Sequence, residues 1–169
     1  MSQLTRNVLM QYWGHPSFRP LQEEIADSVL AGKDTLALLP TGGGKSICFQ
    51  VPALATEGVC IVITPIISLM KDQVDHLVKI GIPAAAIYTG MHFNEVDLAY
   101  NQAVFGKLKF LYVSPERLQT ERFLEAIKKM KVNLLTIIVI MLMILLKYQK
   151  KHCHNSIMFV LVNNRTHYQ

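Results

Sequence analysis

The chain has 169 residues, enough for one domain with a buried core, and 51% of them are apolar. Its net charge of +5 is unevenly spread: residues 1–125 hold all 12 acids and 10 of the 17 Lys and Arg, while residues 126–169 hold the other 7 and no acid. Those 7 are scattered rather than stacked on one periodic face, which argues against a basic arm, and the odd, widely spaced Cys48, Cys60 and Cys153 exclude a disulfide framework or paired zinc ligands. No charged start, short apolar segment and small-residue cleavage site forms a secretory leader, so a cytoplasmic protein is expected. Cys48 and Cys60 read as small buried hydrophobes.

Leu4, Val8, Leu9 and Tyr12 recur at helical spacing over residues 3–13, and Gly14 ends that helix. Pro16 and Pro20 bracket a turn, after which Pro20 suits the first position of a helix running to about Leu30, with Glu23 and Glu24 in its first turn. Thr35-Leu36-Ala37-Leu38-Leu39 is an apolar run suited to a buried strand. It leads into Pro40-Thr41-Gly42-Gly43-Gly44-Lys45-Ser46 and then Ile47 to Val51, which continues as a helix. Three consecutive glycines let the backbone curl until several N–H groups point inward at once. That is a cradle for phosphate: Lys45 reaches the terminal phosphates and the Ser46 hydroxyl ligates Mg²⁺. The strict pattern wants a glycine where Leu39 stands, so the loop is a looser form of the P-loop.

Val59 to Ile63 is a continuous apolar run of the kind found in a parallel sheet covered on both faces. Ile67 to Ile80 reads as a helix closed by Gly81, and Ala84 to Tyr88 as a short strand. Asn94 caps a helix ending near Gly106, Phe110 to Val113 is a strand, Glu121 to Lys129 a helix, and Val132 to Leu135 the start of another strand. Such alternation predicts an α/β fold, a parallel sheet with helices on both sides and its ligand at the carboxyl ends of the strands.

Four segments, in order and spacing, resemble the first motifs of the RecQ family of ATP-dependent DNA helicases. They are residues 12–22 (YWGHPSFRPLQ), the loop 41–46 (TGGGKS), residues 63–74 (ITPIISLMKDQV) and residues 112–118 (YVSPERL). The resemblance implies an incomplete P-loop (RecA-like) domain that binds ATP and Mg²⁺ and acts on single-stranded or partly duplex DNA, with Lys45 as the catalytic lysine. Gln22 has the donor and acceptor that pair with N6 and N7 of adenine, and His15 and Arg19 offer flat faces for stacking on the base. The resemblance makes this trio the reader of ATP; otherwise Gln22 is a surface glutamine on an amphipathic helix. Thr64, Pro65 and Ser68 lie where a strand gives way to a helix, a place for a nucleic-acid phosphate or for an ordinary cap at Ser68. Ser114 and Arg117 look like a second DNA contact, though Arg117 also suits an ion pair with Glu116 or Glu121.

The resemblance stops near residue 135. The family continues into an Asp-Glu-Ala-His box whose Asp holds Mg²⁺ and whose Glu positions the attacking water, whereas this chain has no carboxylate after Glu125. Residues 1–135 therefore read as the N-terminal part of a helicase ATP-binding domain, and 136–169 as an anomalous apolar and basic tail, expected to be a frame-shifted translation. The run Leu134 to Leu146 would reach about 20 Å as a helix, short of the roughly 30 Å of a membrane core. As a strand it exceeds the usual five or six residues. In His152-Cys153-His154 adjacent side chains point apart, which argues against a metal site. Two other readings stand beside the helicase part: a non-enzymatic module binding nucleotide or nucleic acid, and a peripheral membrane protein held by its tail.

Overall fold

Successive residues of Val59–Ile63 (β2) and Phe110–Val113 (β4) point to opposite sides of a sheet, and all nine are buried, so both sides must be covered. The computed structural model, which describes residues 2–39, 44–141 and 157–163, meets that demand with helices on each face. The first face, with Cys60, Val62, Phe110, Tyr112, Leu134 and Ile138, packs under Gln22–Leu30 (α2), Lys45–Ala55 (α3) and Ile67–Lys79 (α4). The second, with Val59, Ile61, Ile63, Leu111 and Val113, packs under Phe93–Val104 (α5) and Glu121–Ile127 (α6). The first helix, Ser2–Trp13 (α1), lays Val8 and Leu9 against Ile47 and Val51 of α3.

The sheet is completed by Thr35–Leu39 (β1), Ala84–Ile87 (β3), Val132–Met141 (β5) and Ile157–Asn163 (β6), in the order β1-β6-β5-β2-β4-β3. Neighbours among β5, β2, β4 and β3 are parallel, as expected. β6 is antiparallel to both β5 and β1, so β1 runs the same way as the parallel set and its carboxyl end lies at the same edge.

Several boundaries differ from the expectations. α2 begins at Gln22, because Leu21 ahead of it adopts a left-handed conformation (φ 69°) that a helix cannot include. α5 begins at Phe93 with His92, not Asn94, as its N-cap: the Glu95 carboxylate accepts the His92 backbone N–H (3.1 Å). β1 is only half buried. Ala37 and Leu39 face the core, but Leu36 and Leu38 are 58% and 53% exposed, since β1 is an edge strand and α5 and α6 lie over the other end of the sheet. β5 runs on through residue 135 to Met141, its β-branched run Thr136 to Ile140 suiting a strand between two partners. Among the described residues no helix is long and apolar enough to cross a membrane.

The phosphate-loop helix α3 is fixed at its far end. Asn133 Nδ2 donates to Ala53 O (2.9 Å), Thr56 O (3.2 Å) and Thr56 Oγ1 (2.9 Å), and Lys109 Nζ donates to Gly58 O (2.9 Å) and to Thr56 O. These groups satisfy carbonyls that the end of a helix leaves without partners. Cys48 and Cys60 are fully buried, and burial pushes both thiols up to about 12. In a Cys153→Ser variant neither thiol is expected to react with a disulfide reagent at pH 8 until urea unfolds the chain; rapid labelling of the native protein would contradict this packing.

Candidate functional site

At the carboxyl end of β1 the chain turns into α3. Gly44 is the N-cap of that helix in the left-handed conformation (φ 67°, ψ 38°), which glycine adopts without steric cost. Lys45 and Ser46 follow on the first helical turn, and Thr41, Gly42 and Gly43 lie outside the described residues. Lys45 is only 7% exposed, makes no ion pair with a described residue, and is pulled below the ordinary lysine pKa by burial. An ammonium without a counter-charge at a helix N-terminus is arranged for an anion.

Gln22, 3% exposed, buttresses this turn. Its Oε1 accepts the Arg19 backbone N–H (2.9 Å) and its Nε2 donates to Gly44 O (3.1 Å), so one amide ties the turn before α2 to the start of α3. Reading an adenine edge requires this amide to share or exchange those bonds. His15 and Arg19 are exposed on the same turn, and Arg19 borders a cleft of about 600 Å³ with Arg6, Phe18, Leu21 and Glu23. The left-handed Leu21 sits in that turn, the kind of backbone strain, about 1–3 kcal/mol, that persists where surroundings hold it.

A second group gathers at the carboxyl ends of the adjacent strands β2 and β4. Thr64 is fully buried, its N–H donating to Val113 O (3.3 Å) and its hydroxyl accepting the Ile66 N–H (3.5 Å). Pro65 and Ser68 are exposed, and the N-cap of α4 is Ile66, so Ser68 is not a cap. Ser114 is 1% exposed and its hydroxyl donates to Glu116 Oε1 (2.7 Å). Arg117 Nη2 donates to Tyr88 O (3.0 Å), its buried Nε has no partner among the described residues, and it forms no ion pair with Glu116 or Glu121. Three strand intervals separate β1 from β2 and four separate it from β4, about 14 and 19 Å at the usual spacing. The two groups thus share one edge of the sheet without touching.

One side chain that sequence reasoning passed over, Gln50, connects them. Gln50 of α3 is 1% exposed and its Nε2 donates to Gln73 Oε1 on α4 (2.9 Å) and to the hydroxyl of fully buried Tyr112 on β4 (3.2 Å). The available signal was a glutamine inside the otherwise apolar run Ile47 to Val51. Glu116 was also missed: it accepts from Thr89 Oγ1 (2.6 Å) and Ser114 Oγ, which together with its own backbone N–H lower its pKa to about 2. Because the folded value lies below the ordinary 4.5, this clamp is present above the ordinary value and is lost as pH falls through about 2. A carboxyl-carbon NMR titration is expected to find Glu116 still ionised at pH 3.5, and an ordinary midpoint would refute the clamp.

The profile of the DEAD/DEAH box helicases matches residues 19–142, most of the chain. The chain belongs to the DEAD/DEAH box helicase family. Within it the similarity is to RecQ proteins. The ATP-dependent DNA helicase RecQ of Pasteurella multocida is 45% identical over 137 residues, 81% of this chain and 22% of that protein. RecQ of Haemophilus influenzae is 43% identical over 131 residues, 78% of this chain and 21% of its own length. The ATP-dependent helicase SGS1 of Saccharomyces cerevisiae is 44% identical over 105 residues, 60% of this chain and 7% of that protein. The chain spans about a fifth of the length of the bacterial RecQ relatives it matches. Among the described residues no group of three or more His, Cys, Asp or Glu is placed to hold a metal ion.

Proposed function

We propose that this chain is the ATP-binding part of a RecQ-like 3′-to-5′ DNA helicase, which as a whole couples ATP hydrolysis to unwinding. The observation that carries the reading is Lys45: buried, without a counter-charge among the described residues, on the first turn of α3, beside a left-handed glycine buttressed by Gln22. Lys45, the backbone of Thr41 to Gly44 and the Ser46 hydroxyl would hold the Mg²⁺-bound phosphates, and Gln22, His15 and Arg19 the adenine. Bound Mg²⁺ neutralises phosphate charge. Thr64, Pro65, Ser68, Ser114 and Arg117 would line the path of a single DNA strand along the same sheet edge. Thr64 and Ser114, being buried, would act by shaping the turns, and Pro65 and Ser68 by touching the strand.

The chain supplies no carboxylate beyond Glu125 to activate water, so alone it binds nucleotide weakly and does not unwind. Titration with a fluorescent ATP analogue is expected to give weak binding, reduced about tenfold by Lys45→Ala, the loss of roughly one charge-assisted contact. ATP turnover stimulated by single-stranded DNA and abolished by Lys45→Ala would overturn the inactive reading; no binding in either protein would overturn the nucleotide reading. We also propose residues 1–135 as the in-frame portion and 136–169 as a tail translated out of frame; the family match ends at residue 142, close to that point. A coding sequence that restores an Asp-Glu-Ala-His box in another frame supports this, and its absence from every frame defeats it.

A further inference from the structure

We infer that Gln50 is a positioning residue that links the nucleotide site to the nucleic-acid edge, an inference resting on the function proposed above. Its amide is the point where three elements meet. It lies five residues after Lys45 on α3, about 7.5 Å along the helix axis. Its two N–H groups go to two different elements: one to Gln73 on α4, the helix that follows Thr64 and Pro65, the other to Tyr112 on β4, two residues before Ser114. The surroundings are otherwise apolar, with Phe49, Phe110 and Met70 all fully buried in the same core.

A methionine would fill the same volume with no partners to satisfy, so the amide does something that packing alone does not require. What it does is fix the register of α3 against α4 and β4. A shift of α3 when phosphate engages Lys45 and Ser46 is then carried to Gln73 and Tyr112 as a change in two directed hydrogen bonds. The turns beyond them, at Ser68 and at Ser114, move with it. Gln50 touches neither ligand; it acts through the two elements it holds.

The test is thermodynamic linkage in the full chain. The affinity for a fluorescent dT oligomer of about 20 nucleotides is measured with and without a saturating non-hydrolysable Mg²⁺-ATP analogue, and the thermal midpoint is measured in parallel. In the wild type the analogue is expected to change the oligomer affinity by about tenfold, and in Gln50→Met by less than about twofold. Gln50→Met takes the donor from half-buried Gln73 Oε1, which water can supply, and from the fully buried Tyr112 hydroxyl, which it cannot, and so lowers the midpoint; the decisive protein is Gln50→Met/Tyr112→Phe. Removing both members of the buried Gln50–Tyr112 pair is expected to restore most of the midpoint. If the linkage stays lost in that stable double variant, Gln50 positions. Linkage that returns with stability, or that survives in Gln50→Met, overturns this inference alone, as does a wild type that binds both ligands without linkage. A wild type that binds neither ligand overturns the proposed function as well.

Discussion

Alanine at position 44 is expected to abolish nucleotide binding, by about a hundredfold or more, while lowering the thermal midpoint by only a few degrees. Two effects act together. The left-handed backbone at Gly44 (φ 67°) costs an alanine roughly 1–2 kcal/mol. The added Cβ would also lie 2.4 Å from Gln22 Nε2, closer than real Cβ contacts come. Gln22 cannot swing away cheaply, because it is buried and bonded at both ends of its amide, to the Arg19 N–H and to Gly44 O. The loop must therefore open, which moves Lys45 and Ser46 off the phosphate axis and breaks the tie to the turn carrying His15 and Arg19. Gln22→Ala added to Gly44→Ala removes the clash but neither the backbone cost nor the loss of the tie, so it should recover part of the thermal midpoint and none of the binding. Binding of the single variant within threefold of wild type, measured by fluorescence anisotropy, would mean that the loop does not use this turn.

How much of this was legible beforehand depends on whether the signal was periodic or local. The apolar runs at Val59 and Phe110 announced strands buried on both faces, and the structure buries them so. The glycine run and Lys45 announced the turn after β1, because left-handed backbone has few alternatives to glycine. The half-exposed β1 was not legible, since burial of Leu36 and Leu38 depends on where other elements lie rather than on β1 itself. Nor was the seven-residue strand β6, because its antiparallel place between β1 and β5 is a long-range pairing that no local pattern fixes. At the candidate site, the alternation of strand and helix placed the named residues at the carboxyl ends of the strands, but residue types did not disclose the state of each hydroxyl. Ser114 is occupied by Glu116, a neighbour two residues away whose carboxylate faces it only because of the Pro115–Gln119 turn. Gln50 was hidden for the opposite reason: its partners Gln73 and Tyr112 are 23 and 62 residues distant.

Phe49→Ala should be the costliest of the substitutions for stability, about 3–5 kcal/mol out of the 5–15 kcal/mol of a typical domain. Phe49 is fully buried, its ring 6.4 Å from that of Phe110 at 75°, an edge-to-face contact joining α3 to β4. Truncation leaves a cavity between helix and sheet that Val62, Met70 and Leu134 cannot collapse to fill, since each is held by its own element. With a urea slope of about 1–3 kcal/mol/M the unfolding midpoint should fall by about 2 M. Phe105→Ala, at a residue 74% exposed, should change stability by less than about 0.5 kcal/mol and serves as the reference. Phe49 stands four positions after Lys45, so the two share one side of α3, and a helix loosened by the truncation would carry the ammonium with it. Hence the variant should lose nucleotide affinity even where enough of it remains folded to measure. A loss below 1 kcal/mol, with affinity unchanged, would show that α3 is held by the hydrogen bonds that Asn133 and Lys109 donate to its C-terminal end and that Gln50 donates to Gln73 and Tyr112, rather than by this contact.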